Sequence, residues 1–227
     1  VRRGADRVLN GRVTVVTPKH HMTVSPVDTP TVLLRRNDVF GKLMRACAGL
    51  PAVPCAVVHP CDHDSLMGAI EAARQGLIEP VLVGPQAKIR AVADAAGVDL
   101  TPYRLVSTEH SHAAAQQAVA MAKSGEVQAL MKGSLHTDEL MGAVVSASSG
   151  LRTARRVSHV FVMDVPAYPR MLLVTDAAIN IAPTISDKMD IVQNAIDLAH
   201  VLGVPCPKVA VLAAVETVNP DMQATID

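Results

Sequence analysis

Leu77-Ile78-Glu79-Pro80-Val81-Leu82-Val83-Gly84-Pro85-Gln86-Ala87-Lys88-Ile89 changes rhythm in the middle. Residues 81–83 are apolar without interruption, as in a strand buried on both faces. After Gly84-Pro85, residues Ile89, Val92, Ala93 and Ala96 recur at intervals of three and four, the period of one helix face. A buried strand followed by an amphipathic helix is the unit from which parallel α/β sheets are wound.

Outward from this stretch the unit repeats. Upstream, the apolar run 55–58 precedes a segment with Leu66, Ile70, Ala73 and Leu77 on one helical face and Glu71, Arg74 and Gln75 opposite. Downstream, Leu105-Val106 leads into Ala115, Ala118, Val119 and Ala122, and the run 127–131 leads into Leu140, Ala143, Val144 and Ala147. Four such units in succession predict a right-handed, mostly parallel sheet with flanking helices.

Beyond Gly150 two extended runs, 159–165 and 171–174, flank residues 166–170 and suggest a hairpin-like excursion. Ser186 is expected to cap a helix with Asp187 in its first turn and Val192, Ala195, Ile196 and Ala199 facing inward. Gly203 and Pro205 stop that helix before a strand expected over 209–212.

The first residues read differently. A strand is expected over 12–16 without a partner hairpin, and 17–31 carry three prolines among Thr, His and Ser, the composition of a linker. The chain opens on Val1. The expected organisation is therefore 1–16 as the tail of an upstream domain, 17–36 as a linker, and 37–227 as an α/β domain with a first subdomain at 37–150 and the start of a second at 151–227.

Lys+Arg and Asp+Glu both total 21, so no broad charge invites nucleic acid or an anionic membrane. Aromatic residues make up 2% and Trp is absent, which argues against base-stacking platforms. Cys47, Cys55, Cys61 and Cys206 lack paired C-x-x-C spacing, and neither a signal peptide nor an apolar span of membrane length is evident. A reducing cytoplasm is the expected location.

Ligands of open parallel sheets gather beyond the carboxyl ends of strands. Met131-Lys132-Gly133-Ser134-Leu135-His136-Thr137 lies at such an end, and two readings stand. It is a phosphate-holding turn, with glycine permitting close backbone approach, a helix start favouring negative charge and Lys132 as point charge, or a solvated strand end with a serine cap. Gly150-Leu151-Arg152-Thr153-Ala154-Arg155-Arg156-Val157-Ser158-His159 places three arginines within five positions. Their planar forks suit phosphate oxygens, while a charge run by itself reads first as a solvated face. Asp176-Ala177-Ala178-Ile179-Asn180 either orients donors at a strand end or caps a turn.

His59, Cys61, Asp62, His63 and Asp64 form one short run without a second ligand pair, so Asp62 or Asp64 capping the next helix is preferred and no metal is expected. His110 and His112 read as core or surface histidines. The G-x-S-x-G elbow of α/β-hydrolases, the P-loop and the G-x-G-x-x-G fingerprint are all absent, which removes support for Ser hydrolase, nucleotide hydrolysis and dinucleotide readings.

Read in order, several segments resemble the phosphate acetyltransferase/phosphate butyryltransferase family. They are Ala72-Ala73-Arg74-Gln75-Gly76-Leu77-Ile78-Glu79-Pro80-Val81-Leu82-Val83-Gly84; Leu130-Met131-Lys132-Gly133 through Thr137; Gly150-Leu151-Arg152-Thr153 through Phe161; Thr175-Asp176-Ala177-Ala178-Ile179-Asn180; and Pro207-Lys208-Val209-Ala210-Val211-Leu212. His136-Thr137 and the segment Ser158-His159-Val160-Phe161-Val162-Met163-Asp164-Val165-Pro166 resemble the branch fused behind a MaoC-like enoyl-CoA hydratase. Residues 1–16 would then be the last strand of that hydratase.

The resemblance implies an isocitrate/isopropylmalate-dehydrogenase-like fold of two subdomains around a cleft, a homodimer or higher homo-oligomer, and no bound cofactor. Coenzyme A enters as a substrate whose thiol attacks an acyl phosphate, exchanging an acetyl or other short acyl group with inorganic phosphate. It places Lys132, Gly133, Ser134, Thr137, Arg152, Thr153, Arg156 and Ser158 on the phosphate side, with Asp176 and Asn180 orienting the site.

Two departures bear on activity. Met141 stands where the family commonly has an arginine, and the family's Ser-Arg motif with its following Asp, the proposed base and phosphate clamp, would lie beyond Asp227. The catalytic residues are thus left unassigned and the chain as given is expected to be C-terminally truncated and inactive alone. A rival reading is the non-catalytic acyl-CoA-sensing domain appended to malic enzymes. A metal-dependent dehydrogenase of the same fold would need an aspartate cluster that this sequence does not supply.

Overall fold

In a computed structural model, residues 38–213 and 215–227 are described, together with Val8–Leu9 and Val13–Thr14. Those two dipeptides, β1 and β2, pair antiparallel, Val8 with Thr14 and Leu9 with Val13. Within the strand expected over 12–16, Val13 and Thr14 thus have a partner in the segment just before them. The linker expected over 17–36 lies outside the described residues.

The chain divides into two compact units. One is Cys47–Ala154. It contains β3 (Val53–Val58), α2 (His63–Arg74), β4 (Ile78–Gly84), α3 (Gln86–Ala96), β5 (Arg104–Ser107), α4 (Ser111–Lys123), β6 (Ala129–Lys132) and α5 (Thr137–Val145). The sheet order is β5-β4-β3-β6 and every neighbouring pair is parallel. Alternate side chains go to opposite faces, so β3 and β4 feed two cores. Ala56, Val58, Val81 and Val83 pack with Ala114, Ala115, Ala118 and Met121 of α4 and Leu140 of α5. Val57 and Leu82 pack with Leu66, Ala69 and Ile70 of α2 and Ile89 and Ala93 of α3. Each large buried side chain contributes about 1.5–3 kcal/mol.

Strands β3, β4 and β5 step one way across the sheet, and the chain then returns past them to lay β6 on the other side of β3. Strand order reverses between β3 and β6, so the helices that follow them, α2 and α5, pack on opposite faces of the sheet. This is what positions the site.

The second unit takes Arg155–Asp227 with the described residues before Cys47, so the division falls at Ala154 and draws in most of α1 (Val39–Cys47). The α1 start is held by Asp164 Oδ2, which accepts from the Val39 and Phe40 N–H groups at 3.1 and 3.4 Å. The two runs after Gly150 form an antiparallel pair, β7 (Phe161–Met163) and β8 (Leu172–Val174), registered Phe161 to Val174 and Met163 to Leu172. Helix α6 spans Ile185–Val201 and a short α7 spans Gln223–Ile226.

Three local expectations need correction. Helix α6 is capped by Thr184, not Ser186, with the Thr184 side chain accepting from Asp187 N–H and Asp187 reaching back to the Thr184 backbone, a reciprocal capping box. Its most buried positions are Ile191 and Ala199, with Val192, Ala195 and Ile196 half-buried. Residues 209–212 are irregular and Ala210, Val211 and Leu212 are exposed, since no described strand lies alongside to satisfy their backbone. Leu77 falls outside α2, which ends at Arg74, because Gly76 turns the chain at φ 71° and returns Leu77 N–H to the Ala72 carbonyl.

Candidate functional site

At the β3–β6 switch point the two strand ends are stitched together. Gly133 N–H donates to the Val58 carbonyl at 2.8 Å and Ser134 N–H to the His59 carbonyl at 2.9 Å. The Ser134 hydroxyl donates to the same His59 carbonyl at 2.9 Å, accepts the Cys61 N–H at 3.2 Å and stands 3.1 Å from His59 Nδ1. His59 adopts φ 57°, in the left-handed region, which turns the chain sharply at the end of β3. The serine is therefore a tie between loops and does not cap α5, whose N-cap is His136 without a side-chain bond.

Gly133 has a reason different from the expected one. A Cβ there would stand 2.4 Å from the Val58 carbonyl oxygen and 2.5 Å from that of His59, so its missing side chain admits the neighbouring strand and not a ligand. The α5 start is also less inviting to an anion than its sequence suggests, because Asp138 and Glu139 already occupy its first turn. The better anion environment follows β4, on the far side of β3 from β6. Helix α3 opens at Pro85 with no side-chain cap and no acid in its first turn, leaving its amide donors electrostatically bare, and Lys88 lies in that turn.

Charges reach the switch point from α3, α5, β6 and the start of α2. Burial first, then Lys88, pushes the His59 imidazole below its ordinary 6.5, with Glu139 and Asp62 opposing. The Ser65 N–H and hydroxyl hold the Asp62 carboxyl low, and Lys132 adds to this. Asp62 is the α2 N-cap, accepting from Ser65 N–H at 2.8 Å, as the capping expectation had it. Lys132 is exposed, with Nζ 3.3 Å from the Gly133 carbonyl. Burial pushes the Cys61 thiol up, which keeps it protonated. Among the described residues no group of His, Cys, Asp and Glu is arranged to hold a metal ion.

The remaining expected residues divide between the two units. Thr137 opens α5, exposed, and Arg152 and Thr153 follow the sheet in the same unit, both exposed. No hydrogen bond or ion pair to Arg152 is found among the described residues.

Arg156, Ser158, Asp176 and Asn180 belong to the second unit, where one network joins them. Arg156 Nε donates to Asn180 Oδ1 at 2.5 Å and its Nη1 lies 3.2 Å from Asp187. Asn180 Nδ2 donates to Asp176 at 2.5 Å and to the Val157 carbonyl at 3.0 Å. Asn194 Nδ2 donates to Ser158 Oγ at 2.8 Å and to the Arg156 carbonyl at 2.9 Å. Arg155 is bound by Asp197. Asp176 Oδ1 also accepts from Ala178 and Ile179 N–H, each at 3.0 Å. Arg156 thus comes with its charge partly answered, and Asp176 caps a turn and orients Asn180 at once.

Lys88 is the site group that sequence reasoning passed over, while His59 was weighed only as a member of the short run from His59 to Asp64. Nothing in local spacing joins His59 to Ser134, 75 residues away.

The profile of a family described as phosphate acetyl/butaryl transferase matches residues 107–227. Over 189 residues the chain is 54% identical to the phosphate acetyltransferase of Rickettsia felis, covering 83% of this chain and 54% of that protein. Over 188 residues it is 34% identical to the phosphate butyryltransferase of Clostridium beijerinckii, covering 83% and 62%. The chain thus spans between about half and two thirds of the length of these relatives. The crystal structure of a phosphotransacetylase from Streptococcus pyogenes shares the fold, with a TM-score of 0.66 over 82% of this chain and 65% of that one at 18% identity.

Proposed function

The chain belongs to the phosphate acetyl/butaryl transferase family, and on that premise we propose that it serves the reversible transfer of an acetyl or other short acyl group between coenzyme A and inorganic phosphate. The observation that carries this reading is the place of Lys132, exposed at the end of β6, beside the stitched His59–Ser134 turn at the reversal of strand order. An exposed ammonium there, with Lys88 at the bare start of α3, supplies positive charge where a phosphate or acyl phosphate would rest.

In the forward step sulfur bonds to the acyl carbonyl carbon as the bond to the phosphate oxygen breaks, and the CoA thiol's proton ends on the released phosphate. The chain's share of this is to hold the departing phosphate through Lys132, with Thr137, Arg152 and Thr153 as further contacts and Gly133 and Ser134 fixing the turn. Arg156, Ser158, Asp176 and Asn180 form a second, pre-bonded set whose part is orientation.

Finer parts of the proposal are an isocitrate/isopropylmalate-dehydrogenase-like arrangement, a homodimer, a cytoplasmic location and an upstream hydratase, the last supported by the wording of residues 158–166. CoA is a substrate in this reading and no bound cofactor is required. No described helix is long and apolar enough to cross a membrane.

The test is acyl-CoA formation from acetyl phosphate and butyryl phosphate by the full-length protein. Lys132→Ala is expected to raise the KM for the acyl phosphate by about tenfold or more, the loss of one charge-assisted contact. An inactive wild-type protein, or a variant with unchanged KM, defeats the reading.

A further inference from the structure

The Ser134 hydroxyl has one hydrogen, and its surroundings dictate where that hydrogen goes. An oxygen–oxygen approach of 2.9 Å to the His59 carbonyl requires a hydrogen between the two atoms, and the carbonyl has none to give. The hydroxyl is therefore the donor there. Cys61 N–H fills one of its lone pairs. The 3.1 Å contact with His59 Nδ1 is then attractive only if Nδ1 carries a hydrogen and donates to the other lone pair. A neutral His59 pinned in this way keeps its only available lone pair on Nε2. No described residue bonds Nε2, and it is not among the buried polar atoms lacking partners, so solvent reaches it.

This lone pair lies among cations. Lys88 of α3 faces His59, Lys132 continues the strand paired with the end of β3, and the acids in reach are Asp62 before α2 and Glu139 of α5. Two ammonium groups attract any tetrahedral oxyanion. A neutral imidazole acceptor adds a condition, because it gains a hydrogen bond only from a ligand that brings its own hydrogen. Orthophosphate keeps a P–OH group near neutral pH, whereas sulfate carries none and would set an oxygen lone pair against that of Nε2.

We propose that His59 is a specificity residue that selects protonated oxyanions, phosphate over sulfate, by accepting a P–OH hydrogen bond at Nε2. This rests on the reading that the Lys132 turn takes phosphate. The depressed titration of His59 agrees with it, since the ring stays neutral at neutral pH. Below the folded pKa, Nε2 gains a hydrogen and becomes a donor, so the selectivity fades as pH falls through that value.

The experiment is titration of the full-length protein with inorganic phosphate and, separately, with sulfate, alongside spectra of protein labelled with 15N-histidine. His59→Gly serves as the variant because glycine adopts φ 57° without strain and leaves the backbone bonds of the turn intact. The expected result is an Nδ1–H tautomer for His59 and a phosphate preference of about tenfold in the wild type. That preference should vanish in His59→Gly and in acid. A preference that survives in the variant, an Nε2–H tautomer, or equal wild-type binding of both ions overturns the inference while leaving the anion site standing. Failure of either ion to bind overturns the phosphate reading of the Lys132 turn and the inference with it.

Discussion

Gly133 lies against the main chain of His59 so closely that a Cβ at position 133 would stand 2.5 Å from the His59 carbonyl oxygen and 2.7 Å from its carbon. Both obstacles are backbone and cannot swing away, so the contact ties the shape of the candidate site to the pairing of β3 with β6.

Gly133→Ala is accordingly expected to lower stability by more than about 2 kcal/mol, by forcing the two strand ends apart. Gly142→Ala is the contrast. That glycine sits inside α5 with nothing within 4 Å of a Cβ, so the substitution is expected to raise stability by about 0.5–1 kcal/mol. Urea midpoints of the two variants compared with wild type measure both; equal effects would contradict the packing.

Ser134→Ala removes the hydroxyl that holds His59 Nδ1 and the Cys61 N–H. A stability loss of about 1 kcal/mol is expected, together with a His59 ring free to populate both tautomers. Histidine 15N shifts read the second effect directly, and shifts identical to wild type would show that the serine does not set the tautomer.

Thr184→Ala is expected to cost about 1 kcal/mol, because it breaks the reciprocal box with Asp187 at the start of α6. Ser186→Ala, two residues later, should change stability by less than about 0.5 kcal/mol. Thermal unfolding of the pair distinguishes the two capping assignments.

Burial pushes the Asp176 carboxyl up, but the Ala178 and Ile179 N–H groups and the Asn180 amide outweigh it and hold the group below its ordinary 3.8. A carboxylate depressed in the folded state stabilises fully above its unfolded value and loses that contribution as pH falls through the folded one. Acid unfolding of wild type should therefore steepen below about pH 3.8. Asp176→Asn should lose about 1–3 kcal/mol at neutral pH and show a shallower acid limb. Parallel acid limbs would remove Asp176 from the account.

The α/β winding was legible because its signals are local. Each strand is a short apolar run, each helix repeats at three and four, and Asp62 caps α2 where a carboxylate precedes an apolar period. Capping at α6 was misread by two residues because Thr184 and Ser186 are both competent caps, and only the reach of Asp187 back to the Thr184 backbone separates them. The strand expected over 209–212 failed for another reason, since apolar character does not supply a neighbour. At the candidate site, Lys132 and Arg156 were visible as charges near strand ends, whereas the answering of Arg156 by Asn180 and Asp187 depends on residues 24 and more positions away.

Chain order and hydrophobic period were enough to determine a parallel sheet with helices on both faces, since each element's burial pattern is written within a dozen residues. Only tertiary structure decided that β6 lies beside β3 and not beside β5, and from that pairing follow the hydroxyl of Ser134 on His59, the exclusion of a side chain at 133 and the free Nε2. The physical reason is distance along the chain: contacts spanning 75 residues are set by how sheets pack, and packing is a property of the whole core.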